Sequence, residues 1–530
     1  MTKILLFLSS ILDSSRLIAL CLSKKGIFFS SITLGLIATL GYAPFNLWPI
    51  TLGALVLLFI LISSLKSLKA VFFATILFFT SLNLITLSWL SFVMEGFGEM
   101  PALAVWPIIT VFSILICIPY GIATTLSAKL CKNRRSIMLC AYIPAFFILA
   151  DLTVGYVAGG FPWMYLGNTC VSGPFSGFAS LIGVRGIDAL FVLTAGALAM
   201  AALRHFLYLP LAALILALGS FSSSLTFTTP NEGTLKVALV QGNIEQNLHI
   251  ENDKLNEIIA TYWGLSRDLF GKYDLIIWPE SALPLTIEKG LGLLTDLNAV
   301  SYDNHTNLVT GILSTDANGK IFNSILTLGK DQKLKDFSTY NKRKLVPFGE
   351  FVPLASLLRP LGKIFNIPMS SFSQGASVQE PLEVANKKFS PAICYEAIYP
   401  EIISSVNSSD SGAILMVSND SWFGPTRAPL QHLDMAKMRS LELQKPMLRC
   451  TNSGITTVIN SKGQLEESIP SNKPYVLSAN FKTYKGLTPY AKYGDLGVFI
   501  LMIVFGITGF ALSRKKVNKI NEDLQHLVRP

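Results

Sequence analysis

Eight apolar stretches constrain this chain more than any other feature, at about 26–43, 47–65, 70–91, 103–128, 136–157, 178–203, 206–221 and 494–513. Crossing the hydrocarbon core of a bilayer takes about 20 apolar residues wound as a helix, because only an internally hydrogen-bonded segment can shed its water there. Seven of the stretches precede a Ser/Thr-rich linker, "SSSLTFTTPNEG" (222–233), and the eighth comes near the end. Between them, residues 234–488 mix charge, glycine and short apolar runs as a soluble domain does. Composition agrees: 51% of the residues are hydrophobic and only 14% charged, outside the habit of soluble globular chains.

Lysine and arginine give the orientation, since cytoplasmic loops carry an excess of them. Lys24 and Lys25 precede the first stretch, Lys66 and Lys69 follow the second, and Lys129, Lys132, Arg134 and Arg135 follow the fourth. Arg204 follows the sixth, and Arg514, Lys515, Lys516 and Lys519 open a basic tail at 514–530. The opposite loops, "FVMEGFGEMPAL" among them, hold almost none. Both ends then face the cytoplasm and the soluble domain lies outside it. The net charge of +10 resides largely in these loops, so it reports topology and gives no support to nucleic-acid binding. The opening "MTKILLFLSSILDSSRLIAL" is interrupted by Asp13, Ser14, Ser15 and Arg16 and has no small-residue cleavage site. Segment 1–25 is therefore expected to lie at the membrane interface.

Within the soluble domain, "LKVALVQGN", "YDLIIWPES", "NLVTGILS", "FNSILTLG", "KKFSPAICYE", "GAILMVSND" and "TTVIN" read as strands separated by helical segments, the pattern of an α/β domain. Glu280 and Cys394 each stand where a strand ends, and that is where α/β sheets present their chemistry. Seven scattered cysteines make no disulfide framework, and only Cys394 and Cys450 fall in this domain. Taken alone, Cys394 reads as a small buried hydrophobe, Glu280 as a helix cap and Lys342 as a surface charge in "NKRK". No His, Cys and carboxylate residues have metal-ligand spacing, His432 reads as a structural hydrogen-bonding residue, and no cofactor is implied.

Glu280 in "WPESALP", Lys342 in "YNKRKLVPFGE" and Cys394 in "AICYEAIYP" occur in that order, followed by "VSNDSWFG". Together they resemble the nitrilase superfamily, whose members use a Glu-Lys-Cys triad on an αββα sandwich. With "VPFGEFVP", "SNDSWFGPTRAPLQHLDMAKMRSLE", "RCTNSGIT", "GFPWMYLGNT" and "LTPYAKYGD" set among apolar spans, the chain looks like a member of the apolipoprotein N-acyltransferase family over essentially its whole length. That resemblance implies an eight-span membrane domain carrying an extracytoplasmic nitrilase-like domain in a bacterial inner membrane, with the catalytic part on the periplasmic side. It implies an acyl chain taken from a phospholipid as a Cys394 thioester and passed to the α-amine of a diacylglyceryl-modified apolipoprotein. A monomer is the working expectation.

The same resemblance selects Lys342 over Lys344 by its spacing to "PFGE", and makes Glu350 a second essential glutamate. It places Tyr395, Glu396 and Trp422 as supporting or substrate-positioning residues. A tryptophan usual in the family after "QGNI" is replaced here by Ile250, with Trp263 nearby in sequence. A thiol attacks an ester only as thiolate, so it needs a base, for which Glu280 serves, while the Lys342 ammonium meets the negative charge that develops on the carbonyl oxygen. A helix starting after Cys394 is expected to add N–H groups and a favourable dipole. The apolar segment "FVPLASLLRPLGKIFNIPMSSFSQG" is expected to be an arm at the bilayer surface. A membrane-anchored amidase acting on a small C–N bond and a non-enzymatic lipid or lipoprotein carrier remain as alternatives.

Overall fold

The computed structural model describes residues 22–245, 252–334, 337–351 and 372–514. The N-terminal 21 residues, Ile250, nearly all of the arm after Glu350 and the tail beyond Arg514 lie outside the described residues. Eight helices come first: α1 (Lys24–Ala38), α2 (Trp48–Ser64), α3 (Leu68–Thr86), α4 (Trp89–Gly96), α5 (Ala102–Leu130), α6 (Ile143–Tyr156), α7 (Ala179–Ala202) and α8 (Leu209–Ser222). Among the described residues, five helical stretches are long and apolar enough to cross a membrane: Leu68–Thr86, Ala102–Leu130, Arg135–Gly159, Pro174–Ala202 and Leu496–Arg514. Trp48–Ser64 and Phe206–Ser222 are apolar but shorter, and the first expected span falls on the 15-residue α1. α7 is the axis of the bundle, with nearly all of its side chains buried, while α5 and the C-terminal helix turn apolar side chains such as Val111, Leu115, Ile503 and Ile507 outward.

Two features depart from uninterrupted spans, and both tie the bundle to the soluble domain. Where the sequence predicts one span over 70–91, the chain turns at Leu87 and Ser88 into the short α4, and the Thr86 carbonyl accepts a hydrogen bond from Gln431 Nε2 at 3.1 Å. The sixth span is broken at Gly183, whose φ of +66° suits glycine and whose missing Cβ leaves room for the Tyr490 ring. The helix restarts at Val184, whose N–H, orphaned by that break, donates to Glu442 Oε1 at 2.9 Å.

The soluble domain is a sandwich of two sheets. Seven strands form the first sheet: β1 (Leu235–Gln241), β2 (Leu275–Ile277), β3 (Leu283–Thr286), β4 (Asn307–Thr315), β5 (Ile321–Leu328), β6 (Thr339–Asn341) and Tyr475–Phe481. The second has six: β7 (Leu382–Val384), β8 (Lys387–Ile393), β9 (Ser411–Ser418), β10 (Met447–Thr451), β11 (Thr457–Ile459) and β12 (Leu465–Ser468). Tyr475–Phe481, the last strand, β13, returns to the first sheet and pairs antiparallel with β1 along its whole length. Each sheet has a parallel trio at its centre, β1-β2-β4 and β8-β9-β10.

Alternation puts Val237, Leu239, Ile277 and Val309 of one sheet against Phe389, Ile393, Leu415 and Val417 of the other, so the sandwich interior is dry. Helices α9 (Asn252–Ser266) and α10 (Leu291–Asp303) cover the outer face of the first sheet, α11 (Pro400–Val406) and α12 (Ala428–Leu443) that of the second. The layers are therefore αββα. Thr229–Pro230 pairs with Tyr484–Lys485, so the chain entering the domain is strapped to the chain leaving it for the final helix, α13 (Leu496–Arg514).

Candidate active site

The C-terminal ends of the parallel strands converge at one place. Glu280 follows β2, Cys394 follows β8, Asn419 follows β9 and Asn452 follows β10. The chain is bent sharply there: Ser281 has φ +53°, Phe348 φ +62° and Cys394 itself φ +50°. Left-handed backbone at a residue with a Cβ is costly and persists only where its surroundings enforce it.

Glu280, Lys342 and Glu350 are brought together in the interior. Lys342 Nζ donates to Glu280 Oε1 at 3.1 Å and to Glu350 Oε1 at 2.9 Å, with the Lys342 side chain only 1% exposed. Asn323, from the middle of β5, bridges the same two carboxylates, its Nδ2 2.9 Å from each. The Asn419 N–H fixes Glu280 Oε2 at 2.8 Å, and the Val346 N–H fixes Glu350 Oε2 at 2.8 Å. Burial alone would discharge Lys342; the two carboxylates outweigh it and hold the ammonium above the ordinary lysine range.

The Cys394 thiol is in the field of this cluster. Burial pushes its pKa up, the Glu280 charge pushes it further, and the Lys342 ammonium and the Ser418 hydroxyl pull it down. The balance is a neutral resting thiol, buried within the influence of the Glu280 and Lys342 charges.

Cys394 opens a five-residue 3-10 turn, Cys394–Ile398, where the sequence led us to expect a longer helix. Tyr399 is extended and Pro400 begins α11 afresh, so one turn supplies free N–H groups and little helix dipole. Glu396, in that turn, is fully occupied by protein donors. Its Oε2 accepts from Ile393 N at 2.8 Å, and its Oε1 from Arg343 N at 2.6 Å and Tyr340 Oη at 3.0 Å. It ties the nucleophile's turn to the segment that carries Lys342.

Tyr395 and Trp422 face the membrane domain. Tyr395 is buried with Trp89, Trp163, Tyr399, Ile402 and Phe423 in one apolar cluster that joins the ends of α3 and α4 to the turn after Cys394. Trp422 is half-buried, its ring 4.6 Å from that of Phe97 in the loop after α4. The turn after Cys394 thus packs against the bundle.

Several site residues were not singled out from the sequence. Asn323 is a buried polar residue on β5 and shares that strand with the buried Ser324 and Thr327, so its sequence context did not set it apart. Asp420 and Arg449, joined by the His432 that the sequence marks as a structural hydrogen-bonding residue, form a second buried network in which Arg449 Nη2 meets Asp420 Oδ2 at 2.8 Å. His432 reaches the nucleophile's own backbone, Nε2 lying 3.0 Å from the Cys394 carbonyl.

Two family models match the chain: the apolipoprotein N-acyltransferase N-terminal domain over residues 34–197 and carbon-nitrogen hydrolase over 236–481. An apolipoprotein N-acyltransferase of Vibrio cholerae is 35% identical over 489 residues, covering 91% of this chain and 96% of that protein. The chain belongs to the apolipoprotein N-acyltransferase family. A relative of the same name from Shewanella oneidensis is 34% identical over 91% of this chain and 95% of its own length. Among solved structures, a carbon-nitrogen hydrolase of Helicobacter pylori is 14% identical with a TM-score of 0.36, covering 47% of this chain and 89% of its own. In this member of the apolipoprotein N-acyltransferase family, the hydrolase part holds Glu280, Lys342 and Cys394, and the N-terminal part packs Trp89 and Trp163 around Tyr395 and Phe423, and Phe97 against Trp422.

Proposed function

We propose that this protein moves an acyl chain from a membrane phospholipid to the α-amine of a diacylglyceryl-modified N-terminal cysteine on an apolipoprotein, by way of a Cys394 thioester. Glu280 takes the thiol proton as Sγ attacks the ester carbonyl and a C–S bond forms. Lys342 and the N–H groups that open the turn at Cys394 stabilise the oxyanion. The ester C–O bond then breaks and the proton returns from Glu280 to the departing lysophospholipid. In the second half, the neutral amine attacks the thioester; a C–N bond forms, the C–S bond breaks, Glu280 removes the amine proton and the thiol is restored. The observation that carries this reading is the apolar cluster that seats the turn after Cys394 directly on the membrane helices, where a lipid ester can reach it. The basic loops orient the catalytic domain to the periplasmic side of a bacterial inner membrane.

Incubating the full-length protein with phospholipid micelles is expected to add one long-chain acyl mass to Cys394, discharged by a peptide beginning with S-diacylglyceryl-cysteine as that peptide gains an amide. Hydrolysis of small amides with no long-chain adduct would make the protein an amidase instead. A reporter active only in the cytoplasm should be silent when inserted within 234–488 and active when fused after Lys519; the opposite pattern overturns the orientation.

A further inference from the structure

We infer that His432 is a positioning residue for acylation: by holding the Cys394 carbonyl it sets the direction of the Cys394–Tyr395 peptide on which the reacting carbonyl must dock. The inference rests on the acyltransferase reading above.

The Cys394 carbonyl can only accept, so His432 Nε2, 3.0 Å away, carries the hydrogen. On the other side of the ring, Nδ1 faces Arg449 Nη2 and Asp420 Oδ1, each at 3.3 Å. The guanidinium can only donate and the carboxylate only accept, so Nδ1 can serve either partner, while the carbonyl beside Nε2 keeps a hydrogen on that nitrogen. The ring is completely buried and lies nearly parallel to Trp163, 6.0 Å between centres.

The platform beneath it is equally fixed. On α12, Arg439 Nη1 donates to the Ala397 carbonyl at 3.3 Å, so two side chains of one helix grip two carbonyls of the nucleophile's turn. The same helix is anchored to the bundle by Gln431, which accepts from Trp163 Nε1 at 2.8 Å, and by Glu442 at the start of α7. The N–H of a trans peptide points opposite to its C=O. Anchoring the Cys394 carbonyl therefore aims the Tyr395 N–H the other way, and at the start of a 3-10 turn that N–H has no acceptor within the turn. His432 also supports the left-handed backbone that Cys394 adopts.

The test uses the full-length enzyme in detergent micelles with phosphatidylethanolamine and phosphatidylglycerol, reading the acyl mass on Cys394 against time. His432→Gln keeps a donor where Nε2 was, His432→Met keeps the bulk and loses the donor, and His432→Asn keeps an amide too short to reach. Met and Asn are expected to slow acylation at least about tenfold while Gln stays within about threefold of the parent. Alkylation of Cys394 by iodoacetamide, which forms no carbonyl oxyanion, should change less than about threefold in all three. Equal loss in Gln and Met, alkylation falling in parallel with acylation, parental rates in Met, or variants that fail to fold would each overturn the inference. A parent that takes no adduct overturns the acyltransferase reading itself, and this one with it.

Discussion

Lys342→Met is expected to slow the appearance of acyl mass on Cys394 by at least about a hundredfold, with Glu280→Gln slowing it by a similar factor. The ammonium serves two tasks. It is the cation that pulls the Cys394 thiol's pKa down, and in the proposed mechanism its loss leaves the carbonyl oxyanion with backbone N–H groups alone. It also lies between Glu280 and Glu350, 3.1 and 2.9 Å from them, so a neutral side chain leaves two buried carboxylates facing one another with only Asn323 between them. Like charges in a dry site repel strongly. The methionine variant is therefore expected to be both slower and less stable, and Glu280→Gln slower and less stable to a smaller degree, because its amide keeps one accepting oxygen but turns an NH2 toward a donor, either Asn419 N–H or the Lys342 and Asn323 pair. Cys394→Ala supplies the blank. Time courses by mass spectrometry separate the cases, and a parental rate in Glu280→Gln would remove that carboxylate from the mechanism.

Arg449→Met is expected to cost about 3–5 kcal/mol of stability, the usual penalty for stranding one partner of a buried ion pair. Both side chains of the Arg449–Asp420 pair are fully buried. Burial alone would raise the Asp420 pKa; the Arg449 guanidinium, then His432, outweigh it and hold the carboxyl at about 2, against an ordinary 3.8. A depressed folded value means that the stabilisation is complete above the unfolded value, and it fades as pH falls from about 4 to about 2, amounting to roughly 2–3 kcal/mol in full. Thermal unfolding in detergent should show the parent losing this part of its stability over that acid range, and the variant starting roughly 10 °C lower at neutral pH. Adding Asp420→Asn to Arg449→Met should recover part of the loss, because no bare charge is then left inside. Coincident unfolding curves for parent and Arg449→Met would show the pair to be dispensable.

The strands that bear Glu280 and Cys394 were legible because each is a short β-branched or apolar run ending at a polar residue. Met447–Thr451 was not, since Arg449 interrupts its apolar run, and the carboxylate that makes this tolerable comes from Asp420, 29 residues away in sequence. Tyr475–Phe481 escaped notice for a different reason: it is an edge strand, partly exposed, carrying Ser478 and Asn480, and its place is secured by backbone pairing with β1. Hydropathy could not mark the break after Thr86, because composition stays apolar through it and the decisive partner, Gln431, lies in the other domain. Glu280, Lys342 and Cys394 were singled out through their flanking motifs, and the fold brings the first two into contact. Asn323, Asp420 and Arg449 work through contacts between distant segments, which no local pattern encodes.

The closing strand has a consequence for how the enzyme comes into being. Glu280 and Lys342 belong to the first sheet, Cys394 to the second, and the first sheet is complete only when Tyr475–Phe481 returns to flank β1, shortly before the C-terminal helix. During synthesis the chain therefore produces Glu280 and Lys342 before Cys394, and all three before the strand that completes the first sheet. Under the proposed mechanism, a chain stalled before that strand lacks the finished frame around Glu280 and Lys342, so a working site is expected only once nearly the whole protein has been made.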